Sequence, residues 1–118
     1  MGGNHSRNKG AEGERAVVQL YRDAGMNARR NFGSGSQGGG DITGQIPDVP
    51  EVKRTAKTVK FHDWVAQARE GARTVGKPWA LWIRVDHDDW TVTVPHEHYI
   101  GLLVAYNELV EQVFGGDE

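Results

Sequence analysis

Val17, Val18, Leu20, Tyr21 and Ala24 recur at helical spacing, which predicts a first helix over 8–24, capped by Asn8 or Gly10 and stopped by Gly25. A short strand is expected over 27–32. The run from Gly33 to Gly40 is too glycine-rich for regular structure and reads as a loop. Two short strands follow, 41–45 and 49–55, joined by a turn at Pro47-Asp48. Phe61, Trp64, Val65, Ala68, Ala72 and Val75 form an apolar stripe, so 60–74 is expected to be a helix, ended by Gly76. Residues 79–85 and 90–94 alternate like strands around an Asp86-His87-Asp88-Asp89 turn. The last helix, 96–114, carries Tyr99, Leu102, Leu103, Tyr106, Leu109, Val110 and Val113. The order predicts an α/β (α+β mixed) fold with a mixed five-stranded sheet flanked by helices.

Length and charge narrow the class. A chain of 118 residues with 37% hydrophobic and 25% charged residues suits one globular domain, expected over 9–114, with flexible tails at 1–8 and 115–118. The start formally fits a myristoylation pattern, but a frayed tail is the simpler reading. The lack of cysteine excludes disulfides, thiolate catalysis and cysteine-ligated zinc. No apolar run approaches the roughly 20 residues of a membrane span, and none resembles a secretory signal, so a cytoplasmic protein is expected. The net charge of −2 conceals an asymmetry: residues 1–60 carry +4 and residues 61–118 carry −6. A basic first half suits a one-sided phosphate-binding surface, although short segments often differ by this much.

The candidate chemistry lies in the basic half. In a strand, Glu51 and Lys53 project to one face and Val52 to the other. If Asp41 borders the neighbouring strand, two carboxylates and an ammonium converge, which is the equipment of metal-assisted phosphodiester hydrolysis: oxygen ligands for a hard cation, and a positive charge beside the phosphoryl group. The plain alternative is a solvated strand face. Asp48 gives a literal Pro-Asp pair but stands three residues from Glu51, on the opposite side of the strand. Glu14 falls on the buried face of the first helix, where a carboxylate needs a partner; a Glu facing water in a first helical turn is the alternative.

Gly33, Gly35 and Gly38 match G-x-G-x-x-G, yet no helix follows, and no Gly-Lys-Ser/Thr occurs, so no nucleotide cofactor is expected. The loop reads as a DNA contact through Ser34 and Ser36 or as a linker. Lys9, Arg15, Arg29, Arg30, Arg54, Lys57 and Lys60 are phosphate-contact candidates. Gln67 could reach the site or simply face solvent. His96 and His98 suit the start of a helix better than a metal site, for want of a third ligand.

Lys9-Gly10-Ala11-Glu12-Gly13-Glu14-Arg15, Arg29 to Gly35, Gly40-Asp41-Ile42 and Glu51-Val52-Lys53 together resemble the archaeal-type Holliday junction resolvases of the PD-(D/E)XK nuclease superfamily. The likeness runs from Lys9 to about Val94. It implies a restriction-endonuclease-like fold in which Asp41, Glu51 and the Val52 carbonyl bind Mg2+ (Mn2+ could substitute), with Glu14 completing the acidic shell. Lys53 would orient the attacking water or neutralise the developing charge, and Arg15, Arg30 and Ser34 would hold the DNA backbone. It further implies a homodimer acting on a four-way junction. Pro50 removes one ladder hydrogen bond, which predicts a bulge. The rival expectations are a nuclease of the same superfamily acting on flaps or duplex, a non-catalytic DNA-binding module, and an unrelated α/β scaffold.

Overall fold

The structure, a computed structural model, describes the backbone of residues 2–32 and 39–115 and the side chains of 9–32 and 39–115. Its elements are α1 (Gly2–Asp23), β1 (Asn27–Arg30), β2 (Ile42–Gln45), β3 (Val49–Thr55), α2 (Phe61–Ala72), β4 (Trp79–Val85), β5 (Thr91–Thr93) and α3 (His96–Phe114). These are the expected elements in the expected order. α1 starts upstream of Asn8, inside the stretch expected as a tail. That stretch has no proline to stop the helical register propagating outward from the packed turns around Val17.

The strands form two sheets rather than the single five-stranded one expected. β1 and β2 make an antiparallel pair, while β3, β4 and β5 make a second sheet with β3 parallel and β5 antiparallel to β4. The division has a local cause. The edge of β3 that faces β2 offers little to a ladder: Pro50 has no N–H, and the Val52 N–H is taken by the Asp41 carboxylate at 2.8 Å. One backbone bond, from Asp41 N–H to the Pro50 carbonyl at 2.8 Å, joins the sheets there. The expected bulge at Pro50 is absent, because the missing donor lies on this side and the β3–β4 register runs unbroken from Val49↔Trp79 to Thr55↔Val85.

Each face of the β3–β4 sheet is covered by one helix. Val17, Val18 and Tyr21 of α1 pack with Ala28, Ile42, Ile46 and Val52, flanked by Met26, Trp82 and Trp90. Val65 and Ala68 of α2 pack with Leu81 and Ile83, flanked by Trp64 and Trp79. Because Glu51 is registered with Leu81 and Lys53 with Ile83, both belong to the α2 face, and Val52 with Trp82 belongs to the α1 face. All four tryptophans line the core. α3, by contrast, has no buried residue.

Candidate active site

The site begins with the backbone that aims Asp41. Gly40 has φ +74°, and a Cβ there would come within 2.7 Å of the Pro50 carbonyl oxygen and of Val49 Cγ1. Only glycine suits both the conformation and the approach. Gly71 plays the matching part in α2, where a Cβ would lie 3.2 Å from Gly40 N. The Gly39 N–H donates to the Gly71 carbonyl at 2.8 Å. Asn31 closes the clamp: its backbone N–H donates to the Asp41 carbonyl at 2.9 Å, and its Nδ2 donates to the Gly40 carbonyl at 3.1 Å. Asp41 is thereby pinned between the two sheets, one carboxylate oxygen on the Val52 amide.

The Asp41 and Glu51 carboxylates meet. Burial pushes the Glu51 carboxyl up to about 7, the Asp41 charge adds to the rise, and Lys53 opposes it. Burial also raises Asp41, while the Val52 N–H and the Lys53 ammonium pull it back. In the protein alone the pair therefore tends to share a proton, held mainly by Glu51. Lys53 Nζ lies 3.6 Å from Glu51 Oε2 and donates to Gln67 Oε1 of α2 at 2.5 Å. Two acids and one ammonium thus gather on the α2 face, as the Asp and Glu-x-Lys spacing anticipates.

Glu14 finds a different partner. Its Oε1 accepts from Arg30 Nε at 3.0 Å and Nη2 at 2.9 Å, which meets the need for a partner on the buried face of α1. Burial and the Asp41 charge nevertheless raise its carboxyl above the ordinary value, so it feels the site. It approaches from the helix that covers the α1 face, whereas Glu51 stands on the α2 face. Among the described residues no three acidic or histidine side chains are gathered closely enough to enclose a metal ion.

The basic residues divide. Arg15, Arg22, Arg29 and Arg30, with Phe32 and Thr43, line an open cleft of about 610 Å3 beside Glu14. The Arg30 guanidinium lies 4.6 Å from the centre of the Phe32 ring. Lys9, in contrast, is committed to Asp86 at 2.6 Å. Arg54 pairs with Asp86 at 3.4 Å and Glu12 at 3.6 Å and does not line this cleft. Lys57 is exposed in the turn after β3. Ser34 and Ser36 lie outside the described residues. Asp48 is turned away from the site, as its strand position requires, and accepts from the Tyr21 hydroxyl at 2.8 Å. His96 opens α3, and His98 Nε2 stands 4.0 Å from Asp48 Oδ2.

The sequence signals for Asn31 and Gly40 are thin, since neither is a titratable group. Gly71 does leave a trace: a glycine inside a helix costs about 1 kcal/mol relative to alanine and calls for a packing reason.

A family model matches residues 5–115, nearly the whole chain, and the family is described as "Phage putative PDDEXK endonuclease". The chain belongs to this family. Membership makes it a nuclease of the PD-(D/E)XK type, and its mixed α/β architecture is compatible with that fold. The match carries the superfamily, not the archaeal resolvase branch whose motifs the sequence resembles. Nucleases of this superfamily generally use divalent metals. The donors here fit such an ion in kind: hard carboxylate oxygens whose mutual repulsion a cation would relieve. No curated protein and no solved structure compared with the chain matches it. None of its helices is long and apolar enough to cross a membrane, among the described residues.

Proposed function

We propose that the protein is a Mg2+-dependent, structure-selective DNA endonuclease that cuts four-way junctions, breaking the P–O3′ bond and leaving a 5′-phosphate and a 3′-hydroxyl. The observation that carries this reading is the meeting of Asp41 and Glu51 with Lys53 on one face of the sheet. Asp41, Glu51 and the Val52 carbonyl would hold the ion, which when bound supplies Lewis acidity to the phosphoryl oxygens and acidifies water. The Lys53 ammonium, steadied by Gln67, would set a fixed positive charge against the developing phosphorane. The guanidinium groups of Arg15 and Arg29 would hold backbone phosphates in the cleft beside Glu14. Arg30 would contribute from its Glu14 pair, and the basic first half of the chain would steer DNA to this side.

The junction itself rests on the motif likeness from Lys9 to Val94. A second reading, a nuclease for flaps or duplex, is favoured by the family description, which names an endonuclease without a junction. The deciding experiment offers the protein a labelled four-way junction and a linear duplex of equal length, with Mg2+ and with chelator. Paired incisions confined to the junction and dependent on Mg2+ are expected. Equal cutting of the duplex would transfer the assignment to the second reading, and salt-sensitive binding without any turnover would leave a DNA-binding module instead.

A further inference from the structure

We propose that α3 is a self-association surface through which two copies of this chain pair. The helix runs 19 residues, none of them buried, yet nine of its large apolar side chains are exposed. Tyr99, Leu102, Tyr106, Leu109 and Val113 are between 49% and 64% exposed. A contiguous stripe of this kind in water is the mark of an interface.

The spacing says which kind. Tyr99, Tyr106 and Val113 recur every seven residues, and so do Leu102 and Leu109, which together make the a and d positions of a heptad seam. Leu103 widens the stripe on one flank. At about 100° per residue, the acids Glu97, Glu108 and Glu111 fall on the opposite side of the helix. The seam is thus uncharged and self-complementary, as a two-fold pairing requires.

Among the described residues, α1 and α2 already occupy the two faces of the β3–β4 sheet, and α3 is left with no buried residue. The helix contains no lysine or arginine. It therefore has no cation for anionic lipid, and its acids repel DNA. A second α3 meets none of these objections. The area is adequate for a specific pairing: the six stripe side chains, of roughly 150–200 Å2 each and about half exposed, give on the order of 500 Å2 per copy, or about 1,000 Å2 in total, the lower bound for a specific interface. A standard stable interface uses about 800 Å2 per partner. The radius of gyration, 16.0 Å, against about 13–14 Å for a compact chain of this length, fits a helix that leaves its own domain.

The test is light scattering on the whole chain after size separation. A mass of twice 13.0 kDa is expected for the native protein, falling to a single chain in a Leu102→Glu/Leu109→Glu variant that keeps its far-ultraviolet circular dichroism. Because that variant could lose its fold, cysteine cross-linking gives a second reading, made clean by the absence of native cysteine. Tyr106→Cys should form a covalent dimer under mild oxidation, and Glu108→Cys should not. A native monomer at the highest attainable concentration, a double variant that stays dimeric, or equal cross-linking at 106 and 108 would overturn the proposal. A monomer that floats with phosphatidylcholine vesicles would overturn it in favour of a lipid surface. These readouts are mass and cross-links, so they stand apart from the nuclease reading.

Discussion

Lys53 and Arg54 are neighbours on β3 with opposite fates. Lys53 points to the α2 face, where it must serve Asp41 and Glu51 together, and the surplus of acid there drives Glu51 toward neutrality. Arg54 points to the α1 face, where two cations, Lys9 and Arg54, meet two acids, Glu12 and Asp86. There the Lys9 hydrogen bond holds the Asp86 carboxyl below its ordinary value. The balanced cluster ties α1 to β3 and to the end of β4. The unbalanced one is costly to the folded chain alone, and such cost is kept where a ligand will repay it.

Four experiments separate the two clusters. Asp41→Asn should lower cleavage by about 10³-fold while the fold survives, because the amide oxygen can still accept the Val52 N–H. Single-turnover cleavage with a thermal melt checks both, and an active Asp41→Asn protein would remove the basis for calling this cluster catalytic. Next, Lys53→Ala should cost roughly 10²-fold in rate at little cost in stability. Arg54→Ala should do the reverse, lowering the urea midpoint because the largely covered Arg54 stem and its link between α1 and the end of β4 are lost, with its intrinsic rate kept. Swapped outcomes would mean that the roles of the two faces are exchanged.

The third is the pH dependence of metal-free protein. Glu51 keeps its proton to about pH 7 when folded, against 4.5 when unfolded. Folding therefore takes up a proton between these values, and stability is lost as pH rises from about 4.5 to about 7, by up to roughly 3 kcal/mol. Glu51→Gln should flatten that slope and be the more stable protein at pH 8 in chelator, while losing activity. An identical slope in the variant would mean that Glu51 titrates normally. Last, Gln67→Ala should slow cleavage only about tenfold by freeing Lys53; no change would return Gln67 to the plain surface.

Much of this was legible because strands and helices announce themselves by period. β3, β4 and α3 begin and end where alternation and helical spacing put them. The rejection of Asp48 needed only the two-residue period of a strand, and Tyr21 now accounts for its position. What escaped were properties of pairs distant in sequence. That Glu14 would meet Arg30 depends on how α1 crosses β1, and no local pattern encodes that crossing. That Gln67 would reach Lys53 depends on α2 lying over β3. The division into two sheets turned on a side chain, Asp41, occupying a backbone donor of β3, which a strand-by-strand reading does not contain. α3 was legible as amphipathic but not as uncovered, since periodicity reports an apolar face without naming what meets it.

Pro50 and the Asp41 carboxylate have one more effect. A sheet margin with open donors and acceptors invites a stray strand from another molecule, the usual first step toward aggregation. On β3 the proline has no N–H to offer, its carbonyl already accepts from the Asp41 N–H, and the Val52 N–H is taken by the Asp41 carboxylate, while the far margin, β5, is only three residues long. The residues that prepare the acidic cluster therefore also make the chain hard to zip onto its neighbours, a safeguard for a protein whose last helix invites company.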